Sequence, residues 1–153
     1  MDVTLREADI DDLPHFGEME RDAEASRYVT VESQQKHRQE FERETIRYLA
    51  IEHERDCAGF IILALEPGTG SVEFRRIVVA ARGLGIGGKA ISALEHYCRN
   101  SIGCQRIWLD VFTSNKRAHH LYTKLGYREF KRGDYNGREL IFMDKSLADD
   151  PDD

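Results

Sequence analysis

The chain has 153 residues, the size of one domain, and its 41% hydrophobic content with 12 glycines suffices for one core. No apolar run approaches the roughly 18 residues of a membrane span, and 33% of the residues are charged, so the composition is that of a soluble, cytoplasmic protein. Of the net charge of −6, four units come from Asp149, Asp150, Asp152 and Asp153, leaving −2 for the rest; Arg75, Arg76 and Arg82 lie scattered among carboxylates, which excludes the basic stripe of a nucleic-acid module.

Met1-Asp2-Val3-Thr4 has neither a basic nor an apolar leader character, so no secretory signal is expected. Residues 1–147 are expected to form one domain, followed by an acidic, disordered tail over 148–153. Cys57, Cys98 and Cys104 are odd in number and lack CxxC spacing; they read as reduced thiols, the first two as small core residues.

Val3-Thr4-Leu5-Arg6 alternates and predicts a first strand. Ile10 to Arg27 carries Leu13, Phe16 and Met19 at helical spacing, and Ser33 to Glu44 predicts a second, exposed helix with few apolar positions. Tyr48 to Ile51 and Gly59 to Leu65 read as neighbouring strands, Glu66 to Gly70 as a turn, and Val72 to Val79 as a fourth strand. A glycine-rich loop follows, Arg82 to Gly88, then a helix with Ala90, Ile91, Leu94, Tyr97 and Cys98 on one face. Ile107, Leu109 and Val111 alternate in a fifth strand. Asn115 to Leu125 places Ala118, Leu121, Tyr122 and Leu125 on one stripe, with Gly126 placed to end the helix. Tyr127 to Phe130 and Glu139 to Met143 flank Asn136-Gly137, a hairpin turn. The order β-α-α-β-β-β-α-β-α-β-β predicts an α/β or α+β domain with a mixed sheet covered by helices.

Arg82-Gly83-Leu84-Gly85-Ile86-Gly87-Gly88-Lys89, between a strand and a helix, can aim several N–H groups at an anion, with the helix dipole adding attraction. Gly83, Gly85 and Gly88 satisfy the dinucleotide pattern G-x-G-x-x-G, but late in the chain and with Asp110 inside the next strand rather than at its end. Gly83, Gly88 and Lys89 satisfy most of the P-loop pattern, but position 90 is Ala, which lacks the hydroxyl that holds magnesium. A third reading uses more of the chain. Glu73 to Val79 with Arg82 to Gly87, followed by Val111-Phe112, Asn115, Ala118, Leu121-Tyr122 and Lys124 to Tyr127, resembles in order and spacing the two motifs of the GNAT N-acetyltransferase superfamily. Only Ala80 and Ala81 separate strand from Arg82, a shorter connection than members commonly carry, which bears on the register at Ile77 to Val79.

The resemblance implies a mostly antiparallel mixed sheet with helices on both faces, and acetyl transfer from acetyl-CoA to a primary amine in a ternary complex: a small-molecule amine, an amino sugar or a protein N-terminus. It assigns the pyrophosphate to the N–H groups of Gly83, Leu84, Gly85, Ile86, Gly87 and Gly88, with Arg82 and Lys89 beside them. It assigns the thioester carbonyl to backbone N–H at Ile77, Val78 and Val79, where a splayed strand leaves donors unpaired. Tyr122 is the position of the general acid and also touches the cofactor; Asn115 starts its helix and reaches the pantetheine arm or a bound water, the bland reading being a plain N-cap. Glu73 resembles the strand base of some members and, on an alternating strand, shares a face with Arg75, Ile77 and Val79; the bland reading is a carboxylate paired with a nearby arginine. Tyr28 and Tyr135, with Asp134, would line the acceptor site. His119-His120 read as solvated, because adjacent helical residues point about 100° apart and lack further ligands; no metal is expected. Many members form homodimers, and a sheet edge such as the last strands could pair here across a two-fold axis. The alternatives are a catalytically silent acetyl-CoA-binding sensor and a nucleotide-binding protein.

Overall fold

A computed structural model describes residues 2–21, 32–80 and 85–147. Strand β1, Val3–Glu7, leads into a 3-10 turn, Ile10–Asp12, and helix α1, Leu13–Glu20. The helix expected from Ile10 to Arg27 is therefore shorter within the described residues, and 22–27 lie outside them. Its first turn tightens because Asp9 N–H donates to the Asp12 carboxylate (2.9 Å) while the Asp9 carboxylate accepts from Asp11 N–H (2.8 Å). Helix α2, Gln34–Phe41, starts where Ser33 Oγ accepts from Lys36 N–H. Strands β2 (Ile46–His53), β3 (Asp56–Glu66) and β4 (Ser71–Val79) form an antiparallel meander. Helix α3, Ile86–Tyr97, then crosses over and ends in a π turn, Cys98–Ile102. Strand β5 (Arg106–Phe112), helix α4 (Lys116–Lys124) and the hairpin β6 (Arg128–Tyr135) and β7 (Arg138–Ser146) complete the chain. The hairpin turns on Asn136 and Gly137, with φ of +51° and +80°, as the Asn-Gly pair predicts.

The seven strands lie in the order β1-β2-β3-β4-β5-β7-β6, antiparallel throughout except for β4 beside β5. Alternation along β3 divides the core. Ile61 and Leu63 face a cluster with Ala90, Ile91 and Leu94 of α3 and Tyr122 of α4, whereas Phe60, Ile62 and Ala64 face Leu13, Phe16 and Met19 of α1. Helices thus cover both faces, as the resemblance implies, and each fully buried aliphatic or phenyl side chain contributes about 1.5–3 kcal/mol.

Two expectations are corrected here. Cys104 is buried with Cys98 while Cys57 is only half-buried, because Cys104 follows the π turn into the core and Cys57 sits at the start of β3. Helix α2 is not wholly exposed: His37 is buried on the sheet. Among the described residues no helix is long and apolar enough to cross a membrane.

Candidate active site

The parallel pairing of β4 with β5 covers three residue pairs, Ser71 with Arg106, Val72 with Ile107 and Glu73 with Trp108. Beyond Glu73 the strands part. β4 stays on β3 as far as the Val79–Gly59 pair, while β5 follows β7 up to the Phe112–Leu140 pair. The gap opens toward the carboxyl ends of both strands, where ligands enter open sheets of this kind. Helices α3 and α4 both begin at that end, each following its strand.

Backbone groups of β4 line one wall. Ala80 N–H donates to Ala58 O (2.7 Å), so alternation turns Val78 toward β3 as well and leaves the N–H groups of Ile77 and Val79 aimed into the gap. The backbone at Ile77 and Val79 thus faces the space between the two strands. Val78 offers the gap no backbone group, and its side chain is buried on the α1 side. β3 packs so closely here because residue 59 is glycine: a Cβ would stand 2.1 Å from Val78 O.

The glycine loop is shorter than its composition suggests. Gly85 is the N-cap of α3, at φ +70°, a left-handed conformation that favours glycine. Ile86, Gly87, Gly88 and Lys89 are already helical, because the buried stripe of Ala90, Ile91 and Leu94 extends back to Ile86. Among the described residues no side chain caps this end, and its first-turn N–H groups point toward an anion site. Among the described residues, a Cβ on Gly87 or Gly88 would meet nothing closer than Leu121, at 3.9 and 3.8 Å. Packing does not require these glycines, and their bare backbone leaves room for a phosphate; the cradle fits the group. Lys89 is exposed on the first turn. Arg82, Gly83, Leu84 and Tyr28 lie outside the described residues.

Tyr122 is buried (8% exposed) on the α4 stripe, its ring edge-on to Phe74 (6.1 Å) and Tyr127 (6.0 Å). The neighbouring Tyr127 hydroxyl donates to Glu95 of α3 (3.0 Å), whose other oxygen accepts from Lys145. Burial, and then the charge of Asp110, pushes the Tyr122 phenol up to about 12, so it stays protonated at neutral pH. Asn115 is the N-cap of α4, its Oδ1 accepting from Ala118 N–H (3.2 Å). Tyr135 is 55% exposed at the hairpin tip. His119 is half-buried and His120 exposed.

Glu73 does not share a face with Ile77 and Val79. A bulge at Arg75, where Ile62 pairs with Arg76 and Leu63 with Phe74, inserts one residue into β4 and reverses the alternation. Phe74, Ile77 and Val79 therefore face the α3 cluster, and Glu73 faces the α1 side. There its carboxylate accepts from Arg75 Nη2 (3.1 Å), which is the paired-arginine arrangement. Asp110 also faces this side, opposite in parity to the buried Leu109 and Val111. It is exposed, yet its carboxyl is held above the usual range, first by the protein around it and then by the charge of Glu73, as suits the floor of an open cleft. The sequence shows Asp110 and Gly59 only as a polar break and a glycine in apolar strands. Their roles depend on which strands are neighbours.

The model of the acetyltransferase (GNAT) family matches residues 9–127. The chain belongs to that family. This GNAT chain is 36% identical over 73 residues to an uncharacterized N-acetyltransferase of Methanocaldococcus jannaschii, covering 48% of its own length and 47% of that protein. It is 30% identical over 97 residues to a spermine/spermidine N(1)-acetyltransferase of Bacillus subtilis, covering 58% and 64%. The match thus spans about half of the first of these curated relatives and less than two thirds of the second. Its fold is that of a spermidine N-acetyltransferase from Vibrio cholerae solved with CoA and spermine (TM-score 0.82, 21% identity, 95% and 96% covered). An aminoglycoside acetyltransferase solved with coenzyme A and kanamycin shares it too (TM-score 0.82, 18% identity, 95% of each chain).

Proposed function

We propose that the chain is an N-acetyltransferase carrying the acetyl group of acetyl-CoA to a primary amine by direct attack in a ternary complex. The observation that carries this reading is the gap between β4 and β5, with the N–H groups of Ile77 and Val79 on one wall, the N-terminus of α3 at its open end, and Tyr122 packed on Phe74 where the strands part. The bound thioester supplies an activated acetyl carbonyl. Ile77 and Val79 N–H would hold its oxygen as negative charge develops there; one such donor typically supplies about 3–4 kcal/mol. Gly85 to Gly88, with Arg82, Gly83 and Leu84, would take the pyrophosphate. The amine nitrogen bonds to the carbonyl carbon as the carbon–sulfur bond breaks. Tyr122 gives its proton to the departing sulfur, and Glu73 takes the proton of the amine through water.

A small polyamine is the acceptor with most support: a sequence relative carries polyamines in its name and a structural neighbour was solved with spermine, and Glu73 and Asp110 set two carboxylates on the acceptor side. Tyr28 and Tyr135 belong to the same proposal as lining. So does a cytoplasmic homodimer through edge strand β6, where Phe130 (45%) and Tyr135 are exposed.

Calorimetry with acetyl-CoA, Mg-ATP and NAD, followed by thiol release over a panel of amines, tests the function. Acetyl-CoA alone is expected to bind, and spermidine to be among the amines turned over. Tyr122→Phe is expected to lower turnover by about 10²-fold or more with acetyl-CoA affinity kept. Binding of Mg-ATP without acetyl-CoA would overturn the reading; unchanged turnover in the variant would remove Tyr122 as the acid.

A further inference from the structure

Two polar side chains are fully buried among the described residues, Glu20 at 0% and His37 at 1% exposure, and they touch. The Glu20 carboxylate, in the last turn of α1, accepts through Oε1 from His37 Nε2 (2.9 Å) and from the backbone N–H of Glu32 (2.9 Å). Its Oε2 accepts from Arg76 Nη1 (2.6 Å). On the far side of the imidazole, His37 Nδ1 lies 2.8 Å from the Tyr48 hydroxyl. A carboxylate only accepts, so His37 Nε2 carries the hydrogen; in the neutral imidazole Nδ1 accepts and Tyr48 donates. Burial pushes the Tyr48 phenol up, which keeps that donor proton in place. Burial alone would also raise the Glu20 carboxyl, but the bonds from His37 and Glu32 and the charge of Arg76 outweigh it and hold the group below the usual carboxylate range.

One carboxylate thus joins α1, α2, β4 and, through the imidazole, β2. The His37 and Tyr48 end of this chain packs among rings: Tyr48 lies parallel to Phe16 and Phe60, and His37 meets Tyr48 and Phe60 edge-on. Apolar residues of the same volume would hold these elements at a smaller desolvation cost, so adhesion alone does not account for the charge. Its geometry leads to the cleft. Arg76, which Glu20 holds, is the neighbour of Arg75 at the β4 bulge. Arg75 Nη1 lies 3.9 Å from Glu40 Oε2, and Glu40 stands three residues after His37 on α2. Arg75 in turn holds Glu73 at 3.1 Å. Helix α2 therefore reaches β4 at two places, through His37 and Glu20 on its buried side and, at its rim, through the Glu40 carboxylate, which Lys36 and Arg43 hold at 3.0 Å each beside Arg75.

We propose that the Glu20–His37–Tyr48 chain positions the acceptor side of the cleft: it fixes α2 on β4, and with it the Glu40–Arg75–Glu73 contact that aims the Glu73 carboxylate. The inference rests on the part given to Glu73 above. These are positioning residues, acting through Arg75 without touching an amine.

The test uses Tyr48→Phe, which removes one hydroxyl from an intact ring stack, and His37→Gln, which keeps an amide donor toward Glu20. In each, the Arg75 Nε–H resonance is followed by nitrogen-15 NMR, and the amine KM, kcat and acetyl-CoA affinity are measured well below the melting temperature. The resonance is expected to move or broaden, and the amine KM to rise about fivefold, the factor one neutral hydrogen bond is worth, with acetyl-CoA affinity unchanged. An unmoved resonance overturns the proposal, whichever variant folds. So does a moved resonance with parental amine KM and kcat, which would leave only a structural role. If the parent itself transfers acetyl to no amine, the enzymatic reading fails there, visibly and separately, and the Arg75 resonance alone decides whether α2 is coupled to β4.

Discussion

Replacing Gly59 with Ala adds one methyl group beside the strand that lines the cleft. The new Cβ would stand 2.1 Å from Val78 O, 3.0 Å from Val79 Cα and 3.1 Å from Val78 C. A carbon and a carbonyl oxygen approach comfortably to about 3.3 Å, so the strands must separate by about 1 Å. The atoms in the way are backbone, and no rotamer relieves them. The Ala80 N–H bond to Ala58 O, at 2.7 Å, ties the strands next to the intrusion. Overpacking of this kind costs about 1–3 kcal/mol, read as a lower urea midpoint at constant slope. The displaced segment carries the Val79 N–H, and a misplacement of about 1 Å costs on the order of 10²-fold in rate. Turnover is therefore expected to fall by that order in a sample that is still fully folded, with saturating acetyl-CoA and amine. Parental stability and turnover together would refute the close-approach argument. Lost stability with parental turnover would detach Val79 from the chemistry.

Asp110→Asn tests the crowded carboxylate. Because the folded state raises its pKa above the ordinary 3.8, ionisation opposes folding. The group favours the folded state at low pH, and that contribution disappears as pH rises through the folded value. The variant should gain stability over the parent as pH rises from about 4 and then hold the gain; urea midpoints that keep a constant offset across this range would contradict it. In the β2–β3 turn, Glu54 and Arg55 have φ of +52° and +72° without glycine. Arg55→Gly is expected to add about 1 kcal/mol by relieving the left-handed strain, or roughly 2–4 °C in Tm for a chain of this size; an unchanged Tm would show that the turn is not strained.

The parts of the molecule legible in the sequence are local. Periodicity around Leu13, Ala90 and Tyr122 and alternation along Ile107 to Val111 fixed the order of elements, and Asn136-Gly137 marked the hairpin. Two chain segments carry the proposed cofactor side, because each is a single strand–loop–helix passage whose chemistry depends on consecutive residues. Elsewhere the decisive facts are long-range. The bulge at Arg75 leaves no trace in an Arg-Arg pair, yet it moves Glu73 to the opposite face from Ile77. His37 looks like one more polar residue on a polar helix; its burial follows from Glu20, 17 positions earlier, and from Tyr48 on β2. Asp110 and Gly59 acquire meaning only once β5 and β3 are known to flank β4.

The parting of β4 from β5 also gives the sheet two inward edges, one on each strand. Outer edge strands are hazards, since their unpaired N–H and C=O groups are templates for another chain. The inward edge from Arg76 to Val79 carries groups of the same kind, but it lies between two strands and beside the first turns of α3 and α4. The N–H groups of Ile77 and Val79 on that edge can pair with a single extended molecule that carries amide groups along its length, as with a guest strand. Under the proposed function that occupant is the amide-bearing arm of the cofactor, which would complete the ladder and cover the edge at once.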